Sequence, residues 1–176
     1  MHGAILLYDG MTALDAIGPY EVRQSPGLDI DVRVVAREKG LKRTDFGRPG
    51  LMADYPLDET PRPDILAVPG TAYPQAVMGD QQVLEWIAQV PKPTKWTTSV
   101  CTGALGLGAA GVSSGIDMAL TLVAEEFGAA TAQMAQLLIE YDPHPPFDAG
   151  SPDKAPPLVV SAVRESFAKL SQKPRV

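Results

Sequence analysis

A chain of 176 residues, 45% of them apolar, is long enough to bury the core of one domain. The net charge of −6 argues against nucleic acid or an anionic membrane surface as the main partner. A single cysteine excludes an internal disulfide, and the N-terminus lacks a signal-peptide pattern, so we expect a cytoplasmic protein.

Short apolar runs alternate with helical patterns in the first half of the chain. The runs predict buried strands at residues 4–8, 30–36 and 64–68. Between them, the polar and glycine-containing stretch 39–54 predicts a small hairpin. Pro19 fits the first turn of a helix, which leaves Asp15 in the loop after the first strand. The apolar spacing of 76–90 predicts another helix.

The second half begins with a fourth predicted strand, residues 96–100, which runs directly into Cys101. Small residues follow and predict a short helix over 103–110. Further helices are predicted at 116–127, 129–141 and 158–170, with a proline-rich coil at 142–157.

Strands that alternate with helices predict an α/β fold with a parallel sheet. In such a sheet the functional groups gather at the carboxyl ends of the strands. Three candidates lie there: Asp15 after the first strand, the turn Pro69-Gly70-Thr71 after the third, and Cys101 after the fourth. The sequence therefore predicts one site that contains all three.

Cys101 stands at the corner of a predicted strand, turn and helix. Such a turn lifts one side chain out of the sheet and directs helix amides toward it, which favours a negatively charged thiolate. The nucleophile elbow of hydrolases is built in the same way. A lone cysteine is more often an inert buried residue, so it is this context that makes Cys101 a candidate nucleophile.

The neighbouring candidates each have an ordinary and a functional interpretation. Asp15 is either a loop or capping residue, or a partly desolvated carboxyl that holds a proton near neutral pH. Thr102 is either a turn hydroxyl or a hydrogen-bond partner of that carboxyl or of the substrate. Gly70 is either a turn residue or a source of N–H groups for developing negative charge.

The two histidines point away from metal chemistry. His2 is terminal and His144 lies in the proline-rich stretch, so neither belongs to a cluster with metal-ligand spacing. The stretch after Cys101 also lacks the lysine and the spacing of a phosphate-binding loop. We therefore expect no metal, no cofactor and no nearby histidine partner for Cys101.

Several motifs resemble the DJ-1/PfpI (ThiJ) superfamily, which is similar to class I glutamine amidotransferases. They are Leu14-Asp15-Ala16-Ile17-Gly18-Pro19, Asp64-Ile65-Leu66-Ala67-Val68-Pro69-Gly70, Thr98-Ser99-Val100-Cys101-Thr102-Gly103-Ala104, Gly115-Ile116-Asp117-Met118-Ala119-Leu120 and the tail 140–153. Within the superfamily, the resemblance is to isocyanide hydratases.

The resemblance implies a fold, a set of roles and a reaction. The fold is flavodoxin-like, with helices on both faces of a parallel sheet, as one domain over residues 1–176. Cys101 is the implied nucleophile, Asp15 the acid/base carboxyl and Thr102 the hydroxyl that helps hold it; Gly70 and Thr71 face the substrate. The implied reaction is a cofactor-free hydration of a small isocyanide to a formamide, in a homodimer.

The sequence departs from the family pattern at two places. The family's Pro-Gly-Gly turn reads Pro69-Gly70-Thr71 here, and the second glycine normally lets N–H groups approach the reacting atom. After Gly111 a block of roughly 40 residues, at ordinary βαβ lengths, has no counterpart. We therefore expect about four core strands and an exposed sheet edge.

Three alternatives remain open at this stage. In the first, the chain is a non-catalytic sensing module like that of AraC-type transcription regulators, although no helix-turn-helix follows. In the second, it carries another activity of the superfamily, such as glyoxalase or redox-sensor chemistry at Cys101. In the third, it is a pseudoenzyme created by the missing block.

Overall fold

The structure is a computed structural model that describes residues 1–23, 27–60, 63–73, 75–89, 96–101, 108–109 and 111–171. Its coordinates divide into two compact units, Met1–Glu140 and Tyr141–Val176, and each is described by itself. The expectation of one domain over the whole chain stays a prediction.

The first unit alternates strands and helices. Its strands are β1 (His2–Leu6), β2 (Asp31–Ala36), β3 (Gly40–Arg43), β4 (Gly50–Ala53), β5 (Tyr55–Pro56), β6 (Ile65–Val68), β7 (Trp96–Val100) and β8 (Gly108–Ala109). Its α-helices are α1 (Ala13–Val22), α2 (Gln75–Met78), α3 (Gln81–Gln89), α4 (Ser114–Phe127) and α5 (Ala129–Leu138).

One parallel sheet holds six of these strands, in the order β5-β2-β1-β6-β7-β8. Four longer strands make up its centre, and a two-residue strand lies at each edge, in line with the expected four core strands. The strand order reverses between β1 and β6, where an open α/β sheet forms a crevice for ligands. The remaining strands, β3 and β4, form the predicted hairpin, which is antiparallel.

Flanking helices bury the central strands. Four consecutive residues of β1 are buried, as expected for a strand covered on both faces. Val83 of α3 joins this core, and Trp86 packs against it. A second apolar cluster connects α1, α4 and α5 through Val22, Ala119, Val123, Ala132 and Ala135.

Two glycines bring α4 close to the elements that carry the candidate site. A Cβ on Gly115 of α4 would lie 3.1 Å from Val100 Cγ1, and one on Gly18 of α1 would lie 3.1 Å from Ile116 Cγ1. With a Cβ at either position, the neighbouring side chain would have to move by a few tenths of an ångström. The first turn of α4 therefore packs against the last residue of β7.

The prediction that Pro19 begins a helix is wrong. The helix α1 begins at Ala13 and Pro19 lies inside it, so Asp15 belongs to the first helical turn and not to a loop. A proline at this position removes the hydrogen bond to the carbonyl four residues earlier. Burial of Ala16 and Val22 favours the helix in spite of that loss.

Other elements also differ from prediction: the first strand is His2–Leu6 and not 4–8, and α5 ends at Leu138 and not at 141. The helix predicted over 76–90 is two helices, because Asp80 accepts a hydrogen bond from the Val83 amide at 3.2 Å and caps α3. Of the helix predicted over 103–110, residues 102–107 and 110 lie outside the described part. Gly108 and Ala109 are a strand instead, because they pair with Ser99 and Val100. The edge strand β5 was not predicted.

In the second unit, a stretch without regular structure precedes α6 (Pro157–Ser171), as predicted for the proline-rich coil and the final helix. Lys154 Nζ lies 2.7 Å from Asp148 Oδ1 in that stretch. In the described part of the chain, every helix is too short or too polar to cross a membrane.

Gly128 separates α4 from α5 with a φ of 89° and a ψ of 156°, a conformation that is essentially restricted to glycine. A Cβ there would meet no atom within 4 Å. We expect Gly128→Ala to lower the free energy of unfolding by about 1–3 kcal/mol through backbone strain alone, measured by urea denaturation. Gly150→Ala is the matched control, since a Cβ there also meets open space without a positive φ. Equal effects of the two substitutions would contradict this account.

Candidate active site

The backbone register brings the turns after β6 and β7 to the same level. Val68 of β6 pairs with Ser99 of β7. Two residues further along each chain are Gly70 and Cys101, and parallel neighbours in a sheet are about 4.8 Å apart. The sheet therefore sets the glycine turn beside the cysteine.

Asp15 lies at the same end of the strands, in the helix that follows β1. The strand order of the sheet reverses between β1 and β6. Asp15 Oδ2 accepts a hydrogen bond of 2.8 Å from the Gly70 amide, and the Asp15 side chain is fully buried. Since Asp15 belongs to the helix after β1 and Gly70 follows β6, this bond crosses the crevice between the two strands. Asp15, Gly70 and Cys101 thus gather at one sheet edge, as the strand-end rule predicts.

The loop before α1 is bound to the turn 69–71 by further hydrogen bonds. The Thr12 amide donates to the Gly70 carbonyl at 2.8 Å. The Thr71 hydroxyl donates to the Gly10 carbonyl, and the Tyr8 hydroxyl donates to the Pro69 carbonyl. These bonds fix the position of Asp15 relative to the turn.

Burial raises the pKa of Asp15 from 3.8 to about 6. The Gly70 amide opposes this shift because it stabilises the ionised carboxylate, and the negative charge of Asp45 adds to the shift. Oδ1 is buried and has no hydrogen-bond partner among the described residues. Because this pKa lies closer to neutrality, a larger fraction of the molecules carries a protonated Asp15 at pH 7 than at the ordinary value.

Cys101 has a backbone conformation that is rare for residues other than glycine. Its φ is 57°, in the left-handed region, and its side chain is half-buried. Such a conformation costs about 1–3 kcal/mol and is found most often at functional sites. The abrupt turn expected at the end of the fourth strand is therefore present at Cys101.

The structure describes the other predicted site residues only in part. Thr102 lies outside the described residues. Thr71 is buried, and its hydroxyl also accepts a hydrogen bond of 2.9 Å from the Tyr73 amide. The Gly70 amide is engaged with Asp15. The catalytic and substrate-binding roles of these residues stay predictions.

His2 is the only histidine in the first 140 residues of the sequence, and it lies far from this edge. It begins β1, whereas Asp15 follows the opposite end of that strand, and its Nδ1 lies 3.4 Å from Asp31 Oδ2. A cavity of about 60 Å³ also lies elsewhere: its lining includes Gly3, Ile65 and Leu122, near the beginnings of the strands. The candidate site is therefore the crevice at the other end of the sheet.

Sequence reasoning missed Asp45. It lies in the turn between β3 and β4, and its Oδ2 accepts a hydrogen bond of 2.9 Å from the Thr12 hydroxyl. An aspartate before Phe46-Gly47 is typical of a turn, so its local pattern does not point to the site.

Comparisons with known proteins agree with this architecture. A sequence model of the DJ-1/PfpI family matches residues 2–134. The chain is 34% identical over 203 residues to an isonitrile hydratase from Pseudomonas putida, which covers 93% of this chain and 88% of that protein. Isonitrile is another word for isocyanide.

Two solved structures extend the comparison. A THiJ/PfpI family protein from Pseudomonas syringae superposes with a TM-score of 0.88 at 27% identity, over 97% of this chain and 87% of that chain. Oxidized DJ-1 from Toxoplasma gondii has a TM-score of 0.68 at 13% identity, over 81% and 99%. The second likeness concerns the fold alone.

The alignment with the isonitrile hydratase agrees with the expected missing block in the number of absent residues. Since 93% of 176 residues is about 164, about 39 of the 203 aligned positions have no residue in this chain. This number is close to the block of roughly 40 residues estimated from ordinary βαβ lengths.

The raised pKa of Asp15 makes the stability of the protein depend on pH. Because the folded state binds this proton more tightly than the unfolded chain, its contribution to stability is lost as the pH rises from 3.8 through about 6. Asparagine keeps an acceptor for the Gly70 amide without a charge. The parent should lose stability as Asp15 ionises, whereas Asp15→Asn should not. We therefore expect the free energy of unfolding of Asp15→Asn, taken relative to that of the parent, to be about 3 kcal/mol higher at pH 8 than at pH 3. Urea denaturation at both pH values measures this difference, and a difference independent of pH would contradict the prediction.

Proposed function

The chain belongs to the DJ-1/PfpI family, and we propose that it is a cofactor-free enzyme that hydrates an isocyanide to an N-substituted formamide. The 34% identity to an isonitrile hydratase supports this reaction. The observation that carries the proposal is Asp15, a buried carboxyl with a pKa of about 6 at the sheet edge where Cys101 makes its left-handed turn. A soft nucleophile and a proton donor are the two groups that the reaction needs.

In the first half of the reaction, the Cys101 thiolate attacks the terminal carbon of R–N≡C and forms a C–S bond. One N–C π bond breaks and its electron pair moves to nitrogen, while the lone pair on the terminal carbon takes the proton from Asp15, so that carbon gains both sulfur and hydrogen. The product is the thioimidate R–N=CH–S–Cys101, and Asp15 is left ionised. The Gly70 amide then stabilises the carboxylate through Oδ2.

In the second half, water adds to the same carbon and one of its protons moves to nitrogen. The C–S bond of the adduct breaks, which releases R–NH–CHO and the thiolate. The second proton of the water returns to Asp15. One isocyanide and one water thus give one formamide, and both residues return to their starting forms.

The two oxygens of Asp15 are suited to different tasks in this scheme. Oδ2 accepts the Gly70 N–H, so it is the weaker position for a proton. Oδ1 is buried without a hydrogen-bond partner among the described residues, so it is the oxygen that carries the transferable proton.

The test is turnover of cyclohexyl isocyanide by the purified protein, followed as N-cyclohexylformamide by chromatography. We expect Cys101→Ala to abolish product formation, because no other side chain replaces the thiolate. Asp15→Asn should lower kcat about 10²–10⁴-fold, the usual contribution of a general acid.

Met134→Leu is the control. The Met134 side chain is half-exposed on α5, and the substitution conserves its apolar volume. It should keep the parent rate. The proposal is wrong if Cys101→Ala and Asp15→Asn both turn over isocyanide at the parent rate. Turnover of methylglyoxal but not of isocyanide would assign the site to glyoxalase chemistry instead.

A further inference from the structure

The turn of the β3–β4 hairpin carries one carboxylate that is fixed toward α1. Asp45 Oδ2 accepts a hydrogen bond from the Thr12 hydroxyl at 2.9 Å, and Oδ1 accepts one from the Phe46 amide at 3.0 Å. The Asp45 amide donates to the Met11 carbonyl at 2.9 Å. Backbone and side chain together therefore hold this charge at the N-terminal end of the helix that bears Asp15.

The whole hairpin is bound to the same loop. The Gly10 amide donates to the Arg43 carbonyl at 2.7 Å, and the Arg43 amide donates to Asp9 Oδ1 at 2.7 Å. Met11 also forms a parallel bridge with Thr44. Several hydrogen bonds therefore hold the hairpin that carries Asp45 against the loop before α1.

Thr12 directs its hydroxyl to Asp45 and not to its own helix. It is the N-cap residue of α1, yet it makes no side-chain capping hydrogen bond. Threonine at this position normally accepts a hydrogen bond from an amide of the first turn, a contribution of about 1 kcal/mol. The hydroxyl donates to Asp45 instead, so Thr12 holds this carboxylate and does not cap the helix through its side chain.

We propose that Asp45 is a positioning residue whose fixed negative charge disfavours ionisation of Asp15 and so favours the protonated form of that carboxyl. A second carboxylate near a buried carboxyl disfavours the ionised form of that carboxyl. The field of Asp45 acts in this direction on Asp15, in addition to the larger effect of burial. This inference rests on the proposed role of Asp15 as proton donor.

Other titratable groups near the loop are engaged elsewhere or exposed. The Tyr8 hydroxyl donates to the Pro69 carbonyl, and Arg43 Nη1 donates to the Arg48 carbonyl at 3.0 Å. Asp9 and, on the facing helix α4, Asp117 are exposed. Among the described residues, Cys101 and Tyr73 also lie in the turns that follow β7 and β6.

The direct test is the ionisation of Asp15 itself, followed by ¹³C NMR of the protein labelled at aspartate carboxyl carbons. The resonance that disappears in Asp15→Asn identifies the group. We expect a titration midpoint of about 6 in the parent and a lower midpoint in Asp45→Asn. Thermal denaturation followed by circular dichroism verifies that the variant is folded.

Three further variants separate charge from structure. Asp45→Glu keeps the charge, so it should hold the midpoint above that of Asp45→Asn. Thr12→Val removes the hydroxyl that fixes Asp45 and should lower the midpoint, as Asp45→Asn does. Asp9→Asn is the matched control, because it removes a carboxylate charge from the same loop and keeps an acceptor for the Arg43 amide; it should leave the midpoint unchanged.

An unchanged Asp15 midpoint in folded Asp45→Asn overturns the inference, and so does an equal shift in Asp9→Asn. The NMR result does not require turnover, so failure of the proposed hydratase reaction is recognised separately by a parent protein that makes no formamide. If the parent is active, the alkaline limb of its kcat/KM profile should move to lower pH in Asp45→Asn, because the acid then loses its proton earlier.

Discussion

The hydrogen bond from the Gly70 amide to Asp15 is the interaction on which the site depends. It crosses the crevice where the strand order of the sheet reverses, and it joins the helix after β1 to the turn after β6. Without it, a fully buried carboxylate would have no hydrogen bond from the described residues, which costs several kcal/mol. The same bond holds Asp15 at the level of the strand ends, beside the turn at Cys101.

This region keeps unfavourable features that the rest of the molecule must offset. Asp15 is buried with one oxygen that has no hydrogen-bond partner among the described residues, Cys101 is held in a left-handed conformation, and the charge of Asp45 disfavours the ionised form of Asp15. The first two features each cost about 1–3 kcal/mol, against a total stability of about 5–15 kcal/mol for a typical protein. The apolar strands and the helices α1, α3 and α4 that flank them supply the compensating burial.

Sequence reasoning reached the parallel sheet and the meeting of Asp15, Gly70 and Cys101, because apolar runs and the strand-end rule are local or topological signals. It misread the environment of Asp15, since a proline usually marks the start of a helix and here lies inside one. It could not find Asp45, whose hydrogen bonds to Thr12 and Met11 depend on the hairpin folding back onto the loop before α1. Contacts between segments that are distant in sequence leave no local pattern.

The lengths of the outermost strands, β5 and β8, affect how readily this protein aggregates at high concentration. A long open edge presents unpaired amides and carbonyls on which strands of other molecules can add, and so promotes aggregation. In the described sheet, β5 and β8 extend over two residues each, and Pro56 in β5 has no amide hydrogen to donate. Because β8 pairs only with Ser99 and Val100 among the described residues, the residues of β7 that precede them keep an open edge, and the two-residue strands shield only part of the sheet.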